Sequence, residues 1–250
     1  MTHRERIKAA LSRQVPDRVP VDLGSTTATS ITETAYARLR EWIGLAPENP
    51  VFMSKSNRIV TPGEDVLRRY DVDTRSLMPG PPDNWEDIPL PGDSYEDEWH
   101  VVRRRPEGGI YYDLVGAPLA SAVSVADLEA FEWPDPLDPG RFRGVEARAR
   151  ALHFDTDYAV VAYLPGWVVL QSQQLRGFDN FLADLIMDPD FACALMDRVL
   201  EYSLVLGEKF LSLVGRYADV VYVSDDVCIQ TGPMMSPETY RKLIKPRHRR

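Results

Sequence analysis

Apolar positions change their spacing several times along this sequence, and each change marks an element. The longest regular pattern is Phe191, Leu195, Val199, Tyr202, Leu206, Phe210 and Leu213, at intervals of three and four, with Asp197, Glu201, Glu208 and Ser212 opposite. That spacing predicts one long amphipathic helix. Before it, Tyr158 to Leu164 is an unbroken apolar run between Asp157 and Pro165, the pattern of a strand covered on both faces. After it, "ADVVYVSDD" reads as a second buried strand from Asp219 to Val223, leading into the paired carboxylates Asp225 and Asp226. Ser236-Pro237-Glu238 then opens another helix, with a capping hydroxyl ahead of a first-turn proline.

The front half is less regular. Thr2 and Glu5 have capping-box spacing, and Ile7, Ala10 and Leu11 follow at helical intervals, which predicts a short opening helix ending before Pro16. "DRVPVDLG" reads as a first strand stopped by Gly24, with the polar loop "STTATS" after it. Ser30 and Glu33 offer a second capping box, ahead of a helix with Ala35, Leu39 and Trp42 on one face. Thr61-Pro62 precedes a helix over "GEDVLRRY", which leads into the candidate strand "DVDTRSLM". Between about 79 and 122, prolines, glycines and short aromatic runs such as "DEWHVV" and "GIYYDLV" read as an insertion of hairpins. Helical spacing returns over Ser124 to Phe131 and Pro139 to His153, on either side of the proline-broken "WPDPLDP".

Helices alternating with continuously apolar strands point to a parallel α/β architecture, either a β/α barrel or a doubly wound sheet. No Gly-x-Gly-x-x-Gly follows any of these strands, which weakens the dinucleotide-binding version. The pattern supplies only about four core strands where a closed barrel takes about eight. The barrel is therefore expected to be incomplete, with C-terminal strands missing.

Charge and cysteine content narrow the function. With 29 Lys and Arg against 38 Asp and Glu, the formal charge of the 250 residues is −9, which argues against a nucleic-acid partner. Cys193 and Cys228 are the chain's two cysteines, too few for a disulfide framework, so a reducing, cytoplasmic setting is expected. The charged N-terminus shows no signal-peptide core, and no apolar run approaches the ~20 residues of a membrane span.

Asp225 and Asp226 lie just past the carboxyl end of a core strand, where barrels and open parallel sheets both place their ligands. As a catalytic pair, one would hold its proton and act as an acid while the other stays ionised. The plainer alternative is that one caps a turn and the other faces water. Asp22 and Ser25 hold the equivalent place after the first strand, in a hydroxyl-rich loop suited to a polar ligand or needing none. Gln173, beside Gln174, and Gln230 are further candidate substrate contacts, although exposed helix polarity is the commoner explanation for the two adjacent glutamines. His3, His100, His153 and His248 show no metal-ligand spacing with the cysteines, so no metal is assigned within this chain. Cys193 falls on the long helix as a core position, and Cys228 lacks a histidine partner.

In order, "RERIKAALSRQVPDRVPVDLG", "YDVDTRSLMPG", "GAPLASAVSVADLEAFEWPDP" and "YADVVYVSDDVCIQTGPMMSPETYRKLIKP" resemble the uroporphyrinogen decarboxylase superfamily over essentially the whole chain. The resemblance implies a TIM-type β/α barrel, residues 1–250 forming a single, partial domain of that kind with its site in the barrel mouth. It also implies an enzyme, either a decarboxylase of uroporphyrinogen or a methyltransferase working with corrinoid proteins. The decarboxylases resemble one another in an arginine-bearing loop after the first strand. Here that loop reads "LGSTTATS", with Ser25 where an arginine is expected, and Gln173 stands where some decarboxylases carry an aromatic.

A polycarboxylate substrate wants bidentate arginines, so the departure favours the methyltransferase branch. A decarboxylase would need a rearranged clamp of Arg58, Arg75 or Arg176. The methyltransferases resemble zinc enzymes whose ligands would follow Pro246 in the order of segments. Zinc and a corrinoid are thus expected only if the family pattern continues beyond Arg250. The expected partners are a small-molecule substrate or a corrinoid protein, with a homodimer as a further option. A third reading is a non-catalytic binding module.

Overall fold

In a computed structural model, residues 1–164 and 166–250 are described. Pro165, read from sequence as the stop of the middle strand, lies outside the described residues. The chain opens with α1 (His3–Leu11), and both halves of the Thr2–Glu5 capping box are made. Its buried face is not the one that apolar spacing predicts. Arg6 and Ala9 are buried while Leu11 is 65% exposed, because the helix is oriented by its cations and not by its aliphatic residues.

No strand forms over the "DRVPVDLG" segment, which corrects the expected first strand. Residues 21–25 instead run alongside the strand that begins at Thr74, in the same direction. A single backbone bond, Asp73 N–H to Val21 O, opens the contact. Thr74 Oγ1 then donates to Asp22 and Ser76 Oγ to the Ser25 carbonyl. Pro20 has no N–H to give a ladder, and side-chain hydroxyls do the work that backbone pairing does elsewhere. Gly24, at φ 81°, turns the segment under Pro62, where a Cβ would stand 2.5 Å from Pro62 Cδ.

Next come β1 (Ile31–Thr32), α2 (Glu33–Trp42), β2 (Phe52–Ser54) and β3 (Ile59–Val60), the strands pairing antiparallel in the order β1-β3-β2. The second capping box does not form: Ser30 Oγ donates to the Val60 carbonyl and Glu33 pairs with Arg58. Tyr36 and Arg40 are the buried residues of α2, and Trp42 is 80% exposed. Arg40 is held inside by Asp65 and the Tyr36 hydroxyl, so a polar network displaces the predicted apolar face. Then follow α3 (Glu64–Arg69) and the fully buried β4 (Thr74–Leu77).

An antiparallel sheet of four short strands occupies the middle of the chain: β5 (Ile88–Leu90), β6 (Ser94–Glu96), β7 (Val102–Arg104) and β8 (Asp113–Gly116). After α4 (Val125–Ala130), a 3₁₀ turn over Pro139–Phe142 leads to α5 (Val145–Asp155) and β9 (Ala159–Leu164). Every residue of β9 is buried. There follow α6 (Val168–Arg176), α7 (Phe178–Met187) and α8 (Pro189–Val214), which is 26 residues long. Asp188 starts α8 by accepting from Phe191 N–H, with Pro189 in its first turn.

The chain ends with β10 (Val220–Val223), β11 (Cys228–Ile229), β12 (Gly232–Pro233), α9 (Pro237–Thr239), a π turn over Tyr240–Ile244 and α10 (Lys245–His248). Pro246 offers no N–H to an α ladder, and the preceding turn widens so that Lys245 N–H reaches Tyr240 O.

The parallel sheet has the order β10-β9-β4, with Val161 opposite both Val220 and Ser76. Its centre, β9, packs with Leu77, Ala149, Phe210, Val214 and Tyr217. A larger core joins α6, α7 and α8 through Leu175, Phe181, Phe191, Leu195 and Met196. Each such aliphatic or aromatic side chain contributes ~1.5–3 kcal/mol on burial. The strand β10 is not the buried one that its apolar sequence suggests: Val221 is 51% and Val223 56% exposed. It is an edge, with no further strand beyond it among the described residues. The fold is mixed α/β, and the described residues close no barrel.

Candidate functional site

The two ends of the parallel sheet are built for different purposes. At the amino end, Asp73 precedes β4 and Asp219 precedes β10, and α1 lies across both. His3 Nδ1 stands 2.7 Å from Asp73, which also receives Arg6 and Arg18. Arg4 and Lys8 reach Asp219 at 3.0 and 2.8 Å. Burial works against ionisation of both acids, but Val21 N–H, His3 and Arg6 at Asp73, and Lys8, Val160 N–H and Arg4 at Asp219, hold each carboxyl below its usual range. Every acceptor there is satisfied, and this end is structural.

The carboxyl ends of β4, β9 and β10 open instead onto a cleft of about 990 Å³. Its charged lining is mostly acidic: Asp83, Glu86, Asp87, Asp97, Glu98, Asp225 and Asp226 against Lys55 and Arg103. An inner recess of about 210 Å³ is walled by Met53, Met78, Trp99, Tyr163, Trp167 and Tyr202, with the Glu98–Arg141 ion pair at its side. Trp99 and Tyr202 meet edge to face at 4.6 Å, and Tyr163 and Trp167 at 6.4 Å. Burial pushes the Tyr202 and Tyr163 hydroxyls up from their ordinary values, the latter opposed by its hydrogen bond with Thr27. Burial also raises Asp97, against the pull of Arg103 and the Val101 and Trp99 N–H groups.

The structure separates the two aspartates. Asp225, its side chain 6% exposed, accepts from Val169 N–H at 2.7 Å and Leu170 N–H at 3.0 Å, so it caps the start of α6 from another element. His248 Nε2 stands 2.9 Å away on its other side. Asp226 is exposed, and its carboxylate has no ion-pair partner among the described residues. Both line the cleft.

The other candidates are dispersed. Asp22 and Ser25 bond to each other, Ser25 Oγ donating at 2.5 Å, and sit beside β4 below the cleft. Arg75 is buried, paired twice with Glu64 at 2.9 Å and lying 3.5 Å over the Tyr158 ring, toward the amino end of β4. Arg58 is bound to Glu33 and Arg176 to Asp184, so no arginine clamp assembles in the cleft from these three. Gln173 is buried with its amide on Met234 Sδ, and Gln230 is exposed in the β11–β12 turn.

Gln171 and Gln174 line the cleft, the latter accepting from Arg103 at 2.7 Å. Sequence reasoning missed Gln171, Trp85, Trp99, Trp167, Tyr202 and Arg141. The one available signal was the close-set acids and aromatic of "DEWH", which by itself reads as a hairpin. Among the described residues, no group of three or more His, Cys, Asp or Glu side chains could hold a metal ion. The Asp225–His248 pair is two groups bonded to each other where a structural zinc takes about four. Nor is any helix among the described residues long and apolar enough to cross a membrane.

No protein-family model matches the chain, and no curated protein matches it. Its mixed α/β fold is shared with solved structures. One is a methyltransferase from Methanosarcina mazei, with a TM-score of 0.55 and 18% sequence identity, covering 99% of this chain and 65% of that one. At this identity the likeness concerns the fold, and the chain spans less than two thirds of that methyltransferase's length.

Proposed function

We propose that the chain is a methyltransferase-like member of the uroporphyrinogen decarboxylase superfamily, its parallel sheet being part of a β/α barrel. The observation that carries this reading is the likeness in fold to a methyltransferase over nearly the whole chain, joined to a cleft at the carboxyl ends of the parallel strands, where such folds bind ligands. The substrate would sit in that cleft, with Asp226 on its rim and Asp225 fixing the start of α6. Uroporphyrinogen suits the cleft poorly, since its carboxylates would face acids. The order of sequence segments supports a corrinoid protein as partner. The described residues do not fit a zinc site, and none of this reading depends on one.

The test is to incubate the protein with methylcobalamin and a thiol, following the cobalt spectrum and the methyl thioether by mass spectrometry. Enzyme-dependent thioether with loss of the methylcobalamin band is the expected outcome. No thioether above the protein-free rate, with methylcobalamin or with a methylated corrinoid protein, would overturn the reading.

A further inference from the structure

The side chain of Gln171 is out of place energetically. The residue is 7% exposed, it lines both the cleft and the inner recess, and its Nε2 is buried with no hydrogen-bond partner among the described residues. Buried amides that give up water ordinarily find a partner in the protein. The unpartnered Gln171 amide is therefore a place where a ligand's oxygen would bind.

The surroundings fix the rest of that ligand. Rings of Trp99, Tyr163, Trp167 and Tyr202 wall the recess, and aromatic faces attract cations, above all alkylated ammonium groups. Among the described residues, every cation lining either cavity already holds a carboxylate: Lys55 with Asp87, Arg103 with Asp97 and Arg141 with Glu98. Glu86 and Asp226 line the cleft with no ion-pair partner among the described residues. The uncompensated charge of the cleft leading to the recess is negative, so it draws positive ligands in and repels anions.

We propose that this cleft takes a small substituted ammonium cation, its alkylated head in the aromatic recess and an oxygen of its tail on the Gln171 amide. The inference rests on reading this cleft as the ligand site of the proposed enzyme. It does not rest on methyl transfer, and the two fail separately.

Choline and its uncharged isostere 3,3-dimethylbutan-1-ol provide the probe pair, titrated against the intact protein by calorimetry and by tryptophan fluorescence. Choline is expected to bind saturably and at least tenfold tighter than the isostere. Trp99→Leu should weaken choline at least tenfold. Gln171→Glu, which replaces the amide donor by a carboxylate that accepts from the choline hydroxyl and adds negative charge at the ligand's tail, should tighten it severalfold. That gain keeps the test sound if the tryptophan variant folds poorly. Absence of saturable choline binding, equal affinity for choline and the isostere, or weaker choline binding by a folded Gln171→Glu protein would each overturn the proposal. Selective choline binding by a protein that moves no methyl group would keep this inference and count against the methyltransferase reading.

Discussion

Asp225 and Asp226 are chemically identical neighbours on one loop, yet their surroundings give them different work. Asp225 meets two amide N–H groups at the start of α6 and the ring of His248, whereas Asp226 meets solvent. Asp225→Ala should therefore lower stability by about 1–2 kcal/mol, the usual cost of a lost helix cap, read as a lower urea midpoint. Asp226→Ala should stay within about 0.5 kcal/mol and show its effect in choline affinity instead. Equal losses of stability in the two variants would show that the assignment of the cap is wrong. Sequence order was enough to put both residues just past a strand end, where they line the cleft. It could not say which one would cap, because the helix they face comes from a distant part of the chain. The same limit hid Gln171, Trp99 and Arg141, which come from three separate segments and line one recess only through tertiary packing.

Elements with one strong local signal were legible, and elements shaped by polar contacts were not. The three-and-four spacing of α8 and the unbroken apolar run of β9 leave little choice of structure, and both form where expected. The face of α1 was misread because Arg6 carries more binding interactions than Leu11, and the segment at residues 21–25 because hydroxyls replace a backbone ladder. The junction after β9 depends on another non-periodic feature, the missing side chain of Gly166. A Cβ there would overlap Val223 Cγ1 on β10, so Gly166→Ala must push the edge strand away from β9 or shift Trp167. A cost of about 1–3 kcal/mol is expected, as for overpacking elsewhere. Val223→Ala removes the opposing methyl groups from a half-exposed site, and alone should cost under about 1 kcal/mol. In the double variant the two losses should fail to add, with most of the Gly166→Ala penalty recovered. Simple additivity in urea unfolding would place the strain elsewhere.

Across the whole molecule the sheet is polarised, with cations of α1 fastened to buried acids at its amino end and an acid-rich cleft at its carboxyl end. Both Asp73 and Asp219 are held below the usual carboxylate range in the folded chain. Their contribution to stability is therefore complete above the unfolded value of about 3.9 and is lost as pH falls through the lower folded values. Asp97 has the opposite sign, since burial raises it; its ionisation subtracts stability as pH rises through its folded value. Asp97 is the one raised acid against several depressed ones, Asp73 and Asp219 among them, so urea midpoints measured from pH 7 to pH 2 should fall steeply below about pH 4. Asp73→Asn leaves the buried Arg6 short of a partner and should cost about 3–5 kcal/mol at pH 7, whereas Asp219→Asn, whose partners Arg4 and Lys8 reach solvent, should cost less. Each variant should also lose less stability on acidification than the parent, because one of the acids responsible is already neutral. Neither change touches the cleft, so choline affinity measured on the folded fraction of Asp219→Asn should match that of the parent. A parent whose midpoint hardly moves below pH 4 would show that the clamp at the amino end contributes little. A variant that loses its ligand together with its clamp would show that the two ends of the sheet are not independent.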